Sequence, residues 1–204
     1  MIFPVKLMAK KLKSISLIAL IAAMSGCAGP GREPLNNATE LNNNETIIVG
    51  QIELLPSLAK GEQKIKGLNS GSFENKVFVI ADENYREINR DLEIGDYKGR
   101  IEAILGQNFF VRSANKPFFI LLGMMYLDLG GKTTNRVYFP GGFKVSIKAD
   151  DRAVYIGTIQ YTRNEFFSFT KMTVVDDYDR ANAEFKKKFG TKFQLRKSLL
   201  TLQK

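Results

Sequence analysis

The chain of 204 residues contains no histidine, no tryptophan and a single cysteine, Cys27. Without imidazole, Ser-His-Asp and Cys-His nucleophilic sites are excluded, as is histidine-ligated zinc. One thiol cannot close an internal disulfide, so the fold stands on its apolar core. The chemistry left open is that of carboxylates, lysine, tyrosine or oxygen-ligated metals. Long apolar runs are equally scarce. Ile15 to Ala23 is the main one, and a membrane-spanning helix needs about 20 apolar residues. Gly26, Gly29, Pro30 and Gly31 stop its continuation.

That apolar run has informative flanks. Lys10-Lys11-Leu12-Lys13 precedes it and Met24-Ser25-Gly26-Cys27 closes it. A basic segment, a short apolar stretch and a small-residue exit together form a secretory signal. Its ending on cysteine resembles the lipobox of bacterial lipoproteins, with Met24 where such boxes usually carry leucine. The resemblance implies cleavage between Gly26 and Cys27, a thioether-linked diacylglycerol on Cys27, and usually a third acyl chain on the new N-terminus. Two or more chains anchor stably where one attaches only marginally. In Gram-negative lipoproteins, aspartate after the cysteine commonly means inner-membrane retention. Ala28 stands there, so the resemblance favours the outer membrane, facing the periplasm, in a Gram-negative host.

The expected organisation is a signal peptide at 1–26, a flexible Asn-rich tether at 27–45, a folded domain at 46–190 and a basic amphipathic tail at 191–204. Taking the 26 signal residues from 204 leaves 178, enough for one well-cored domain. The signal removes four lysines and no acids, so 30 basic residues become 26 against 21 acidic, and the net charge falls from +9 to about +5. A secreted, lipid-anchored chain of that modest charge has no reason to bind nucleic acid. The tether, with Gly-Pro-Gly and five asparagines between Ala28 and Glu45, lacks the apolar surface to offset its ordering entropy. As a random coil it would span roughly 20–25 Å.

Beyond it, β-branched, part-alternating segments predict strands. These are Thr46 to Leu54, Val77 to Ile80, Lys98 to Leu105, Asn108 to Ser113, Phe118 to Leu129, Arg136 to Phe139, Phe143 to Lys148, Val154 to Tyr161 and Glu165 to Val175. Gly130-Gly131-Lys132-Thr133 and Pro140-Gly141-Gly142 read as turns, and Asp82 to Gly95 as a charged loop or helix turn. Strands punctuated this often predict a mainly β domain, an antiparallel β-sandwich. One C-terminal helix is expected. Tyr178, Ala181, Phe185 and Phe189 form one apolar stripe, Asp176 or Asp177 is a suitable N-cap, Lys186-Lys187-Lys188 complements the dipole, and Gly190 is the C′ stop. After Gly190, Leu195, Leu199 and Leu202 slightly favour a second short helix over a strand or extended tail. The aromatic doublets Phe109-Phe110, Phe118-Phe119 and Phe166-Phe167 should point one ring inward and one outward.

No convergent catalytic constellation stands out. Asp176-Asp177-Tyr178-Asp179 has the look of a cation loop but lacks the glycine and distal glutamate of an EF-hand, so capping explains its first acids. Gly130-Gly131-Lys132-Thr133 lacks the earlier glycine of a phosphate loop, where Tyr126 stands. The basic C-terminal group Lys186, Lys187, Lys188, Lys192, Arg196 and Lys197 is the marked charge asymmetry, and it reads either as a solvated face or as a contact for anionic lipid or cell-wall polymer. The block Pro140 to Val145 and Val154 to Ile159, leading to Asp176-Asp177-Tyr178, resembles small bacterial lipoproteins of prealbumin-like β-sandwich fold over the last third of the chain. That resemblance implies no activity. The functional expectation is a lipid-anchored, non-enzymatic binding or assembly module of the cell envelope. It needs no metal or cofactor and would meet an envelope protein or the cell wall. The rival is a cell-wall glycan hydrolase, drawing two carboxylates about 5–9.5 Å apart from Glu53, Asp128, Glu165 and Asp176.

Overall fold

The computed structural model describes residue 32, residue 35 and residues 41–60, 62, 73, 75–90, 97, 99–114, 116–127 and 135–203. Ten strands and one helix follow in chain order: β1 Glu45–Leu55, β2 Lys76–Asp82, β3 Ile101–Ile104, β4 Asn108–Ala114, β5 Phe118–Leu127, β6 Asn135–Val145, β7 Ala153–Arg163, β8 Phe169–Val175, α1 Tyr178–Phe189, β9 Arg196–Lys197 and β10 Thr201–Leu202. They build two sheets. One runs β4-β1-β7-β8 with β9 also on β7, the other β10-β6-β5-β2-β3. The molecule is a mainly β sandwich with, among the described residues, a single helix near the C-terminus. Pairing is antiparallel except where β7 lies parallel to β1 and β9 parallel to β7. A parallel pair needs a long crossover, and here strands β2 to β6 intervene between its members.

Alternation assigns the faces. On β1, Ile48, Ile52 and Leu54 point into the core between the sheets, while Ile47 and Val49 point outward. The same core takes Val77 and Val79 from β2, Phe139 and Phe143 from β6, and Tyr161 from β7. Phe109 and Phe118 belong to that inner core, whereas Phe110 packs under the helix and Phe119 joins the outer cluster of the other sheet. Those two doublets are split inward and outward as expected. Phe166-Phe167 is not in a strand at all. It lies in the β7–β8 turn, with Phe166 77% exposed and Phe167 at φ 58° under the Arg163 guanidinium, 3.9 Å away.

The expected turn at Pro140-Gly141-Gly142 is also absent, because β6 runs straight through it. Ile120 faces Phe143 and Leu122 faces Pro140, so two residues of β6 oppose Leu121 alone. This is a β-bulge. A Cβ on Gly141 would sit 2.1 Å from the Leu121 carbonyl oxygen, so only glycine fits there. Proline is tolerated because that stretch of β6 has β5 on one side and, among the described residues, no strand on the other.

The C-terminal residues form extended chain rather than a second helix. Ser198 N–H and Leu200 N–H donate to the Tyr155 and Ile156 carbonyls at 2.9 Å, and Gln203 N–H donates to Gly142 at 2.7 Å. The segment leaves the edge of one sheet and joins the edge of the other, pairing Thr201 with Lys144 and Leu202 with Phe143. Leucine spacing suggested a helix, and open strand edges overrode it.

The expected tether needs a similar correction. Its described members Arg32, Leu35 and Leu41 are docked on the domain. Leu35 is 1% exposed beside Phe185 and Phe189, and its N–H donates to Phe110 at 2.9 Å. Two isolated leucines in a polar stretch carry no periodic signal, yet each fills a gap between helix and sheet. Cys27, Gly26, Asp128 and Gly130 to Thr133 lie outside the described residues.

Candidate functional site

Helix α1 packs Ala181, Phe185 and Phe189 onto the outer face of β1 and β7, which fixes the direction of everything else on it. Its start differs in detail from the expected cap. Asp177 is the N-cap residue but makes no side-chain cap bond. Its N–H donates instead to the Tyr155 hydroxyl at 2.8 Å, and Asp176 Oδ1 accepts from Tyr178 N–H at 3.2 Å. Asp177 takes the Arg180 guanidinium. Gly190 ends the helix at φ 72°, donating its N–H to Lys186 at 2.8 Å.

The structure sorts the six basic residues into different roles. Arg196 clasps Asp151 with two bonds of 2.5 Å and gives a third, of 2.9 Å, to the Ser146 carbonyl. Burial works against the Asp151 charge, but the Arg196 bonds and the Lys148 N–H at 2.6 Å outweigh it. The carboxyl is thereby held below its ordinary value. Lys197 reaches Asp176 at 2.7 Å and lies over the Tyr178 ring. Hydrogen bonding to Lys197 is the main cause that lowers the Asp176 pKa. Arg196 and Lys197 are therefore braces that pin the C-terminal segment to the domain.

The other four differ. Lys186, Lys187, Lys188 and Lys192 are exposed and make no ion pair among the described residues. Lys188 lies 5.1 Å over the Phe110 ring and Lys192 5.4 Å over Phe193. Two arginines that the sequence did not single out join them. Arg152 donates to the carbonyls of Asn43 and Leu41 at 2.8 and 3.4 Å and stacks on Phe193. Arg32 donates to Gly99 and Arg112 carbonyls at 2.8 and 3.1 Å and lies over Phe118. Each gives these bonds to neutral carbonyls; burial lowers the Arg32 pKa, and the nearby Glu83 and Asp82 only partly offset that. Only the fold could reveal them, since nothing local marks either arginine.

Two depressions flank the C-terminal end of the helix. One of about 150 Å³ is lined by Arg32, Glu102, Ile104, Phe110 and Lys188 among others. The other, of about 460 Å³, is lined by Arg152, Lys192, Phe193 and Arg196 together with Asp150 and Asp151. Both combine cations and aromatic rings with acids, Glu102 in the first and Asp150 and Asp151 in the second.

The carboxylates of the hydrolytic alternative are dispersed. Glu53 accepts from Gln160 at 2.8 Å and lines a separate hollow of about 170 Å³. Asp176 is bound to Lys197. Glu165 sits in the β7–β8 turn and Asp176 follows the far end of β8, seven residues of strand away, which is about 20 Å. Glu53 is opposite Gln160, itself opposite Thr173, so Asp176 lies two strand spacings across and three residues along, about 14 Å between backbones. Glu53 and Asp176 are thus bonded to different partners, Glu165 stands far from Asp176, and Asp128 lies outside the described residues. Among the described residues no group of three or more acids or other ligating side chains is placed to hold a metal ion, and no helix is long and apolar enough to cross a membrane.

Scans against protein-family models, curated proteins and solved structures find no match to this chain.

Proposed function

We propose that this protein is a lipid-anchored component of the cell envelope whose β-sandwich serves as a binding or assembly module without catalytic activity. The reading is carried by one observation: the sole thiol of the chain stands at the end of a basic-then-apolar signal, in Met24-Ser25-Gly26-Cys27. Two features support it further. The chain has no histidine, and its described candidate acids are engaged singly with Gln160 and Lys197 or set in a turn. In a Gram-negative host, Ala28 favours the inner leaflet of the outer membrane, with the domain in the periplasm. The partner would be an envelope protein or the cell wall, met at the surface around the helix end.

Metabolic labelling with a clickable fatty acid, wild type beside Cys27→Ser, tests the anchor. Serine lacks the thiol that accepts the diacylglycerol. The variant should carry no label and remain as uncleaved precursor, because lipoprotein signal cleavage waits for the lipid. Equal label in both proteins, or none in the wild type, would sink the anchor and the localisation together.

A further inference from the structure

If Cys27 carries the lipid, the position of Arg32 decides which face of the domain meets the membrane. The inference rests on the anchored reading above. The Asn-rich segment is expected to be a flexible tether that holds the domain just clear of the lipid headgroups, but the structure seats Arg32 against the body of the sandwich. Its backbone N–H donates to the Arg100 carbonyl at 2.8 Å, and its guanidinium bonds Gly99, just before β3, and Arg112 on β4. Arg32 thus bridges the adjoining edges of the two sheets. Only residues 28 to 31 separate it from Cys27. Five residue steps span at most about 17 Å even when fully extended, so the surface around Arg32 stays close to the lipid headgroups.

That surface is the cationic one. Arg32 and Lys188 line the same depression, and the next docked residue, Leu35, bonds the backbone of Phe110, whose ring carries Lys188. Lys186, Lys187 and Lys192 surround the same helix end. The acids nearby are Glu102, bonded to Lys76, Glu184, bonded to Asn108, Asp82 and Glu83, which act on Arg32 and pair with Arg86 and Lys116, Asp151, held by Arg196, and Asp150. All of these acids except Asp150 are already bonded to a neighbour, whereas Lys186, Lys187, Lys188 and Lys192 are exposed and make no ion pair among the described residues. Ile104, 39% exposed, adds an apolar rim.

We propose that the C-terminal end of α1, with Arg32, Lys186, Lys187, Lys188 and Lys192, lies against an anionic bilayer surface and orients the domain on its anchor. A basic residue near such a surface strengthens binding about five-fold, and the effect fades within a Debye length of about 8 Å. Lipid attachment and a polybasic patch are complementary signals. Here the short leash holds the patch within about two Debye lengths of the anchor, close enough to settle on the surface. The opposite edge, β8 with exposed Lys171, then faces away from the membrane.

The test exploits the single cysteine. Thr191→Cys, exposed beside the helix end, and Lys171→Cys on β8 are each introduced into the full chain, purified from bacterial membranes, and labelled with a thiol-reactive fluorophore. A thioether at Cys27 leaves one reactive thiol per chain. In vesicles with about one third phosphatidylglycerol, iodide should quench the dye at position 191 at least three-fold less than the dye at 171. In neutral phosphatidylcholine vesicles the difference should shrink. Adding Lys186→Gln, Lys187→Gln, Lys188→Gln and Lys192→Gln should remove it in the anionic vesicles as well. Equal quenching at both positions, with one dye per chain, would overturn the orientation and leave the anchor standing. Protection seen only after peptidoglycan fragments are added would assign the face to cell-wall polymer and overturn the proposal. Two dyes per chain would show a free Cys27 thiol and remove the anchor on which the proposal rests.

Discussion

Both sheets of the sandwich carry apolar side chains on their outer faces, and the chain covers the two faces by different means. Over β1 and β7 lies α1, whose Ala181, Phe185 and Phe189 join Ile47, Val49, Ala153 and Tyr155 with Leu35, Leu41 and Leu195 at the margins. Over β2 and β5 there is no helix among the described residues. Tyr97 closes on Ile80, Phe119, Leu121 and Leu122, with Ile88 and Tyr138 at its margin. Further along the same face, Phe73 packs edge-on against Tyr126 and tilted on Phe78. The first cover is a regular element whose start is fixed by the Asp176–Lys197 pair and the Tyr155 hydroxyl. The second, in its described residues, is irregular chain held by single rings, by the Arg86–Asp82 and Lys116–Glu83 pairs, and by tyrosine-to-carbonyl bonds from Tyr97 to Asn89 and from Tyr138 to Arg90. A helix concentrates burial into a few positions, each costly to lose. An irregular cover spreads burial thinly, so its parts can open locally.

The contrast breaks most sharply at Phe185, which has no exposed surface. Phe185→Ala leaves a cavity between helix and sheet and should cost about 3–5 kcal/mol. Urea unfolding followed by circular dichroism would show it as a lower midpoint at an unchanged slope. A cost below about 1 kcal/mol would mean the helix is an appendage rather than part of the cooperative core.

The helix cover also depends on the braces that fix the segment behind it. Asp151→Ala removes both Arg196 bonds and leaves the Lys148 N–H without its carboxylate. Losing a fully buried partner costs about 3–5 kcal/mol, and with Arg196 partly exposed we expect about 2 kcal/mol. The folded Asp151 carboxyl titrates below its ordinary 3.8. Its contribution to stability is therefore complete above the unfolded value and is lost as pH falls through the lower, folded one. The variant should show a shallower decline in stability below about pH 4 than the wild type. Identical acid limbs in the two proteins would place the acid sensitivity elsewhere.

These differences also explain what could be read from the residues alone. The helix, its apolar stripe and its glycine stop were legible because each is a local pattern, and two aromatic doublets obeyed strand alternation for the same reason. The bulge at Gly141 was not, since it depends on how close the Leu121 carbonyl comes across the sheet. Nor were β9 and β10, two residues each, which exist only because the folded sheets present open edges to them. In the candidate site the basic residues could be counted in advance, but their roles could not. Arg196 finds Asp151 across 45 residues of chain and Arg32 finds Arg112 across 80. Side-chain bonds over such separations leave no periodic trace.

The smallest expected effect sharpens the comparison from the other side. Tyr138→Phe removes the hydroxyl that donates to the Arg90 carbonyl at 2.7 Å and leaves the ring, which is packed at the margin of the outer cluster. The Arg90 carbonyl lies where water can replace the lost donor, so global stability should fall by no more than about 0.5 kcal/mol. The local consequence should be larger in proportion, because this bond is one of few that hold residues 85–90 to the sheet. Hydrogen exchange read by mass spectrometry should quicken several-fold in a peptide covering 83–90 and stay unchanged in one covering 178–189. If both peptides quicken together, the irregular cover opens only with the whole molecule, and the two outer faces are one cooperative unit despite their different construction.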